Sequence, residues 1–316
     1  MRVCLMIEGQ EDVTWEQWLA LADACETHGI EALFRSDHYS SVSGRRERGS
    51  LDAWATLAGL AARTTSVRLG TLVSPATFRH PSVLAKMATT VDHISGGRVE
   101  VGLGAGWHLQ EHTAYGFEMP PTGERMARLA EQLEIVNREW ADGAFDFEGR
   151  YFRLEDLDAL PKPVQRPRPN LIVGGDAGPR SSALAARWAD EYNTTFATPE
   201  QCRQRRQRVA SAWEAAGRDP GTVRFSLMTG CVVGRDRSEV LERLRWLLDR
   251  TGRGGSPEAL LDSPPEHWIL GTADQALERL GAYEAAGVQR VMLQHLVHDD
   301  LDMVALIGDT LVPRVA

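Results

Sequence analysis

The stretch Val67-Arg-Leu-Gly-Thr-Leu-Val-Ser-Pro-Ala-Thr-Phe-Arg-His-Pro81, closed by Ser95-Gly-Gly-Arg-Val-Glu-Val-Gly-Leu-Gly-Ala-Gly-Trp107, decides how the chain is read. Val67 to Leu72 predicts a strand, and a bend follows at Ser74-Pro75. Pro81 opens a helix that runs to about Ile94, where Gly96-Gly97 stops it. Arg98 to Leu103 is a second strand that ends in a glycine-rich turn. Two βα units thus stand side by side, each with an irregular segment at the carboxyl end of its strand. In a β/α barrel that edge carries the chemistry.

The same alternation continues in both directions. Further strands are expected over Val3 to Ile7, Glu31 to Ser36, Leu171 to Val173, Glu191 to Thr194, Val223 to Val233 and Arg290 to Gln294. Thr14-Trp-Glu-Gln17 is a capping box for a helix that ends near His28-Gly29. Helices are also expected over Leu51 to Arg63, from Pro179, over Pro199 to Ala216, Ser238 to Arg250, Thr272 to Ala286 and Leu301 to Leu311. An excursion from Trp107 to Pro169 carries a long helix, Glu124 to Trp140, and a hairpin within Phe145 to Phe152. Thr251 to Pro265, rich in Gly, Ser and Pro, reads as a mobile loop. Eight strands each followed by a helix predict a parallel sheet. An open doubly wound sheet and a closed (β/α)8 TIM barrel both satisfy the alternation, and the eightfold repeat favours the barrel.

No linker or low-complexity run divides the 316 residues, so one domain over 1–316 is expected, in line with barrels of about 250 residues or more. The 43% apolar and 25% charged composition is that of a globular chain with a large core. A net charge of −9 argues against nucleic acid or an anionic membrane as partner. The run Arg203 to Arg208 reads as a solvated helix face. Cys4, Cys25, Cys202 and Cys231 form no CxxC pair and no zinc spacing, so no metal site is expected. They read as reduced thiols of a cytoplasmic protein. The apolar start, Val3 to Ile7, is too short for a signal or a membrane span.

Gly102-Leu-Gly-Ala-Gly106 fails the dinucleotide-binding GxGxxG test, because the third glycine would fall at Trp107. It reads as a turn whose backbone approaches a ligand, or as a plain tight turn. Asp37-His38 closes the second strand. An imidazole there can exchange a proton near neutrality, or be an ordinary loop histidine. Gly174-Gly175-Asp176 and Gly178-Pro179-Arg180 precede a helix N-terminus, where free amides suit an anion; an ordinary βα turn has the same look. His108 and Glu111 are candidate acids on the first turn of a helix. Gln294 and His295 end the last strand at the expected pocket rim. Arg79, His80, His93 and His298 read as structural loop or helix-end residues.

Taken together, Asp37-His38, Gly70-Thr-Leu-Val-Ser-Pro75, Ser95-Gly-Gly-Arg98 and Gly102-Leu-Gly-Ala-Gly-Trp107 resemble the bacterial luciferase-like superfamily, and in particular its coenzyme F420-dependent oxidoreductases. The resemblance runs from Arg2 to about Val312. It implies a luciferase-like TIM barrel with insertions at the carboxyl-end mouth, and a homodimer. It implies that Asp37 and His38 meet the deazaflavin. It also implies a cis peptide at Leu72–Val73 that backs the ring together with Ser74, with Ala105 and Gly106 alongside. The cofactor phosphate would lie at Gly174, Gly175, Asp176 and Arg180. Sugar-phosphate dehydrogenases of the superfamily carry a glutamate acid where Trp107 stands, which points instead to reduction of an activated C=C or C=N bond. The catalytic set implied is His38, Asp37, Trp107, His108 and Glu111. An FMN-dependent monooxygenase fed by a separate reductase is the alternative, and a non-catalytic flavin-binding protein a third. A basic groove at Arg45, Arg46 and Arg48 would suit the polyglutamate tail of F420; a solvated loop is the other reading of those residues.

Overall fold

A computed structural model describes residues 1–315. Its strands are β1 (Arg2–Ile7), β2 (Ala32–Arg35), β3 (Arg68–Thr71), β4 (Ser74–Pro75), β5 (Val99–Gly104), β6 (Phe145–Glu148), β7 (Arg153–Leu157), β8 (Asn170–Gly174), β9 (Glu191–Thr195), β10 (Arg224–Gly234), β11 (Ile269–Thr272) and β12 (Arg290–Gln294). β1, β2, β3, β5, β8, β9, β10 and β12 pair in parallel, each with the next, and β12 returns to β1. The open doubly wound alternative is thereby excluded, and the eight-stranded (β/α)8 barrel is closed.

Side-chain alternation sorts each stave into two faces. Val3, Leu5 and Ile7 of β1 pack outward in the main core against helices such as α1 (Trp15–Thr27). Cys4 and Met6 point the other way and join Ala32, Phe34, Ile172, Met228 and Met292 inside the barrel. Gly70 leaves room for the Phe34 ring, since a Cβ there would stand 2.7 Å from Phe34 Cε1.

Charge is concentrated at the amino-terminal end of the barrel. Arg290 lies over Phe34 and bonds Glu100 at 2.7 and 2.9 Å and Glu191 at 3.2 Å. Burial pushes the Glu100 carboxyl up, but Arg290 and Arg68 outweigh it and hold the group below its usual range. A cavity of about 360 Å³ opens at this end, opposite the mouth.

The helices lie where the sequence puts them: α2 (Ala53–Arg63), α3 (Pro81–Ser95), α5 (Thr122–Trp140), α6 (Pro179–Trp188), α7 (Pro199–Ala215), α8 (Arg237–Thr251) and α10 (Ala273–Ala285), with α4 (Leu109–Tyr115) leading the excursion. Thr14, Thr198 and Thr272 each close a capping box.

Three expectations change. The hairpin pairs β6 with β7, so its second strand begins at Arg153 and not before Phe152. The Glu131 carboxylate of α5 collects the amides of Arg150, Tyr151 and Phe152 at 2.8, 3.0 and 3.2 Å, which turns that segment into the bend. Within Thr251 to Pro265 stands a short helix, α9 (Pro257–Asp262), capped by Ser256. β11 went unread: it pairs with Cys231 to Gly234, the end of β10 that overhangs the barrel. No helix among the described residues is long and apolar enough to cross a membrane.

Candidate active site

β2 delivers Asp37 and His38 to the carboxyl-end mouth. Buried Arg35, stacked on Trp18, ties this loop down by donating to the carbonyls of Ser36 at 3.0 Å and Leu51 at 2.9 Å. Asp37 Oδ2 accepts from Ser74 Oγ at 2.5 Å and from Arg79 Nη1 at 2.6 Å. Ser74 Oγ in turn accepts from Trp54 Nε1 at 3.1 Å, so its rotor is fixed. Asp37 Oδ1 is buried without a partner. Arg79 also bonds Asp52 at 2.9 Å and the Tyr39 hydroxyl at 3.0 Å. It is therefore a buried brace of the site, and only its place in sequence made it look like an ordinary loop residue.

His38 Nδ1 lies 2.8 Å from Glu111 Oε2. The other oxygen, Oε1, accepts the amides of Tyr39 and of Ser40, the latter at 3.0 Å. An aromatic wedge of Tyr39, Phe78, Tyr115 and Phe117, with centroids 5.0 to 6.4 Å apart, holds α4 where Glu111 can reach. Burial disfavours the charged imidazole, but the Glu111 hydrogen bond and charge, with Glu8 and Asp37, raise the His38 pKa above its ordinary value. Burial opposes the Glu111 charge too, yet His38 and the two amides hold that carboxyl below its usual range. The contact favours the protonated imidazole beside the ionised carboxylate, and it leaves the second ring nitrogen of His38 for other partners. His108 caps α4 6.0 Å from His38, and burial lowers its pKa. Trp107 meets His38 edge-on at 5.7 Å and 78°, and is 63% exposed.

The Leu72–Val73 peptide is cis, at the bond the resemblance implies. Val73 then occupies the space that three glycines leave. A Cβ at Gly102 would be 2.8 Å from Val73 Cγ1 and inside contact distance of the Thr71 carbonyl; one at Gly104 would be 2.7 Å from Val73 Cγ2, and one at Gly174 3.2 Å from Cγ1. Gly102 and Gly104 thus make room for protein atoms, which corrects the reading that a ligand approaches them. Gly106 differs: its φ of +80° favours glycine, and its carbonyl accepts from Arg125 at 3.2 Å. Ala105 beside it is partly buried.

After β8, the Ala177 amide is taken by the Tyr192 hydroxyl at 2.8 Å. Helix α6 then starts with Gly178 as N-cap and Pro179 at its first position, with no side-chain cap. Arg180 is exposed on that first turn. Asp176, an awkward neighbour for a phosphate, is drawn to Arg205 of α7 at 3.1 Å.

Other expectations need revision. His295 is buried, not on the rim; both ring nitrogens lack partners, and burial lowers its pKa to about 4. Gln294 reaches the carboxylate of Glu8 at 2.6 Å, which also receives Gln10 at 2.8 Å. Glu8 was not read from the sequence; its place just past β1 is the one signal that could have found it. Arg48 is spent on Glu11 at 2.5 Å and Arg45 on Glu47 at 2.6 Å, which weakens the basic groove.

A curated relative of similar length is the F420-dependent glucose-6-phosphate dehydrogenase of Nakamurella multipartita, 28% identical, with 93% of this chain and 91% of that protein covered. The pyrimidine monooxygenase of Stutzerimonas stutzeri is also 28% identical, over 86% of this chain and 70% of that one. Among solved structures, a monooxygenase of Streptomyces bottropensis superposes with a TM-score of 0.85 at 25% identity, both chains covered in full. The sequence profile of the luciferase-like monooxygenases matches residues 3–290, from the first stave of the barrel to the start of the last, and the chain belongs to that family.

Proposed function

We propose that the protein is an F420-dependent oxidoreductase that reduces an activated C=C or C=N bond of a small organic molecule. The observation that carries this reading is the 2.8 Å His38–Glu111 contact, which favours the protonated imidazole at the barrel mouth beside the Leu72–Ser74 bend. The F420-dependent dehydrogenase of N. multipartita supports the cofactor.

The residues present fit the group. Val73 offers a convex apolar surface to the face of a flat ring. The partnerless Asp37 Oδ1 is an acceptor for a ring N–H. The uncapped start of α6 offers amides to a phosphate, with Arg180 adding charge and Asp176 drawn off by Arg205. Gly174, Gly175, Ala105 and Gly106 complete the cradle. Bound in reduced form, F420 supplies a hydride.

His38 is the proton donor. Glu111 is held ionised and His108 is pulled toward neutrality, so neither has a proton to give at pH 7. Glu111 is a positioning residue: it fixes the imidazole and keeps its charge. Asp37, braced by Ser74 and Arg79, holds the loop that carries His38. Trp107 stands where the sugar-phosphate dehydrogenases place their acid, and an indole cannot serve as one. It walls the pocket, which argues against oxidation of a sugar phosphate. The working unit is one barrel domain over 1–316, paired as a homodimer.

Calorimetric titration of the purified protein with F420 and, in parallel, with FMN tests the reading. Micromolar or tighter F420 binding with weak FMN binding is expected. The reverse would overturn it in favour of an FMN-dependent monooxygenase, the reading that the S. bottropensis likeness supports. Tight F420 binding without turnover on any enone or imine would indicate a non-catalytic carrier. Light scattering tests the dimer.

A further inference from the structure

The rim of the mouth is apolar. Leu51 after β2, Trp107 and Leu109 after β5, and Phe196 after β9 are all large apolar side chains between 41% and 63% exposed. They follow three different staves and share one end of the barrel. Exposed apolar groups gathered around a mouth mark a binding surface more often than scattered ones do.

Several of the cations nearby are already engaged. Arg79 is held by Asp37 and Asp52, Arg48 by Glu11 and Arg205 by Asp176; Arg125 donates to the carbonyl of Gly106. Arg180 belongs to the phosphate turn. Close to each other stand His38, whose protonated form Glu111 favours, and the carboxylate of Glu8. The latter has amide partners and, among the described residues, no ion-pair partner. A negative substrate would face Glu8, and a positive one would face His38. Trp107, edge-on to His38, presents an open indole beside the proton donor.

We infer that the substrate is an uncharged, flat, conjugated molecule, an enone or imine extended by a further unsaturated or aromatic group, and that Trp107 is the residue that selects it. The inference rests on the reductase reading. Stacking on Trp107 puts the conjugated system against the imidazole. The C=C or C=N bond then takes a hydride at one end and the His38 proton at the other end or at the conjugated oxygen. The substrate gains two electrons and reduced F420 loses two.

The test uses benzylideneacetone as a neutral flat enone and its para-carboxylate as the same frame with a charge. Their Kd values are measured by calorimetry on the wild-type protein and on Trp107→Ala and Trp107→Phe, and cofactor affinity is measured separately. Trp107 is mostly exposed, so the variants are expected to fold. Wild type is expected to bind the neutral enone at least about tenfold tighter than the carboxylate. Trp107→Ala should lose about tenfold for the neutral enone, Trp107→Phe should recover most of it, and cofactor Kd should change less than about threefold; tenfold is about 1.4 kcal/mol. Equal or tighter binding of the carboxylate, or an unchanged Kd in Trp107→Ala, overturns the inference. A protein that binds FMN and not F420 overturns the reductase reading, whereas the ratio of the two enone Kd values still decides the rim.

Discussion

Replacing Glu111 by Gln isolates the charge that supports His38. The side chain is isosteric, and its amide oxygen can keep the Tyr39 and Ser40 amides. Its NH2 would then face His38 Nδ1, where a donor favours the neutral ring. Hydrogen bonds to charged groups contribute about 1.5–3 kcal/mol, and a buried one at 2.8 Å belongs in that range. At a pH above both pKa values of His38, the protonated fraction should fall by about 10- to 100-fold. In wild type the rate of reduction should stay level below the raised His38 pKa and fall as pH rises through it. In Glu111→Gln the fall should begin at lower pH, since burial is then opposed only by the charges of Glu8 and Asp37. The profile of kcat/KM against pH reads this directly. The imidazole proton resonance of the cofactor-free protein reads it without turnover. The pair's contribution to stability has the matching sign: it is greatest between the ordinary carboxylate and imidazole values, about 4.3 and 6.5. Above that window it is lost as pH rises through the raised His38 pKa, and below it as Glu111 is protonated. A descending limb that stays in place or moves to higher pH would refute the reasoning.

Gly102→Ala should destabilise the fold by about 1–3 kcal/mol or more, read by denaturant unfolding, because the added carbon meets the Thr71 carbonyl and Val73. Gly281→Ala, mid-helix in α10 with nothing near the added carbon, should instead stabilise by about 0.5–1 kcal/mol in the same assay. Arg290→Met should cost about 3–5 kcal/mol at neutral pH, since Glu100 and Glu191 lose a buried partner. Part of that loss should return at low pH as the carboxylates are protonated.

The staves were legible because most are apolar runs bounded by glycine, proline or a capping residue, and because eight of them repeat. β11 was not: its four residues include Gly271, and its partner is the overhang of a stave already counted. The hairpin register escaped because a carboxylate on a different element, Glu131, sets where the chain turns. In the candidate site, Asp37, His38 and the Leu72–Ser74 bend were readable from the resemblance. Arg79 and Glu8 were not, since a brace or a floor carboxylate is defined by partners far away in sequence. His295 shows the converse error. The end of a strand fixes height in the barrel, but the direction of the side chain depends on pleat and packing.

Val73 meets glycines on two other staves, Gly102 and Gly104 of β5 and Gly174 of β8, and so binds four positions into one constraint. None of the four can drift alone. A larger residue at Gly104 or Gly174 calls for a smaller one at position 73, the Thr71 carbonyl bars one at Gly102 in any case, and a smaller residue at 73 would leave a void against both staves. In related sequences these four sites should therefore change as a set, and a library that randomises the mouth will keep its fold best if it holds them fixed and spends its diversity on exposed rim positions such as Trp107 and Leu109.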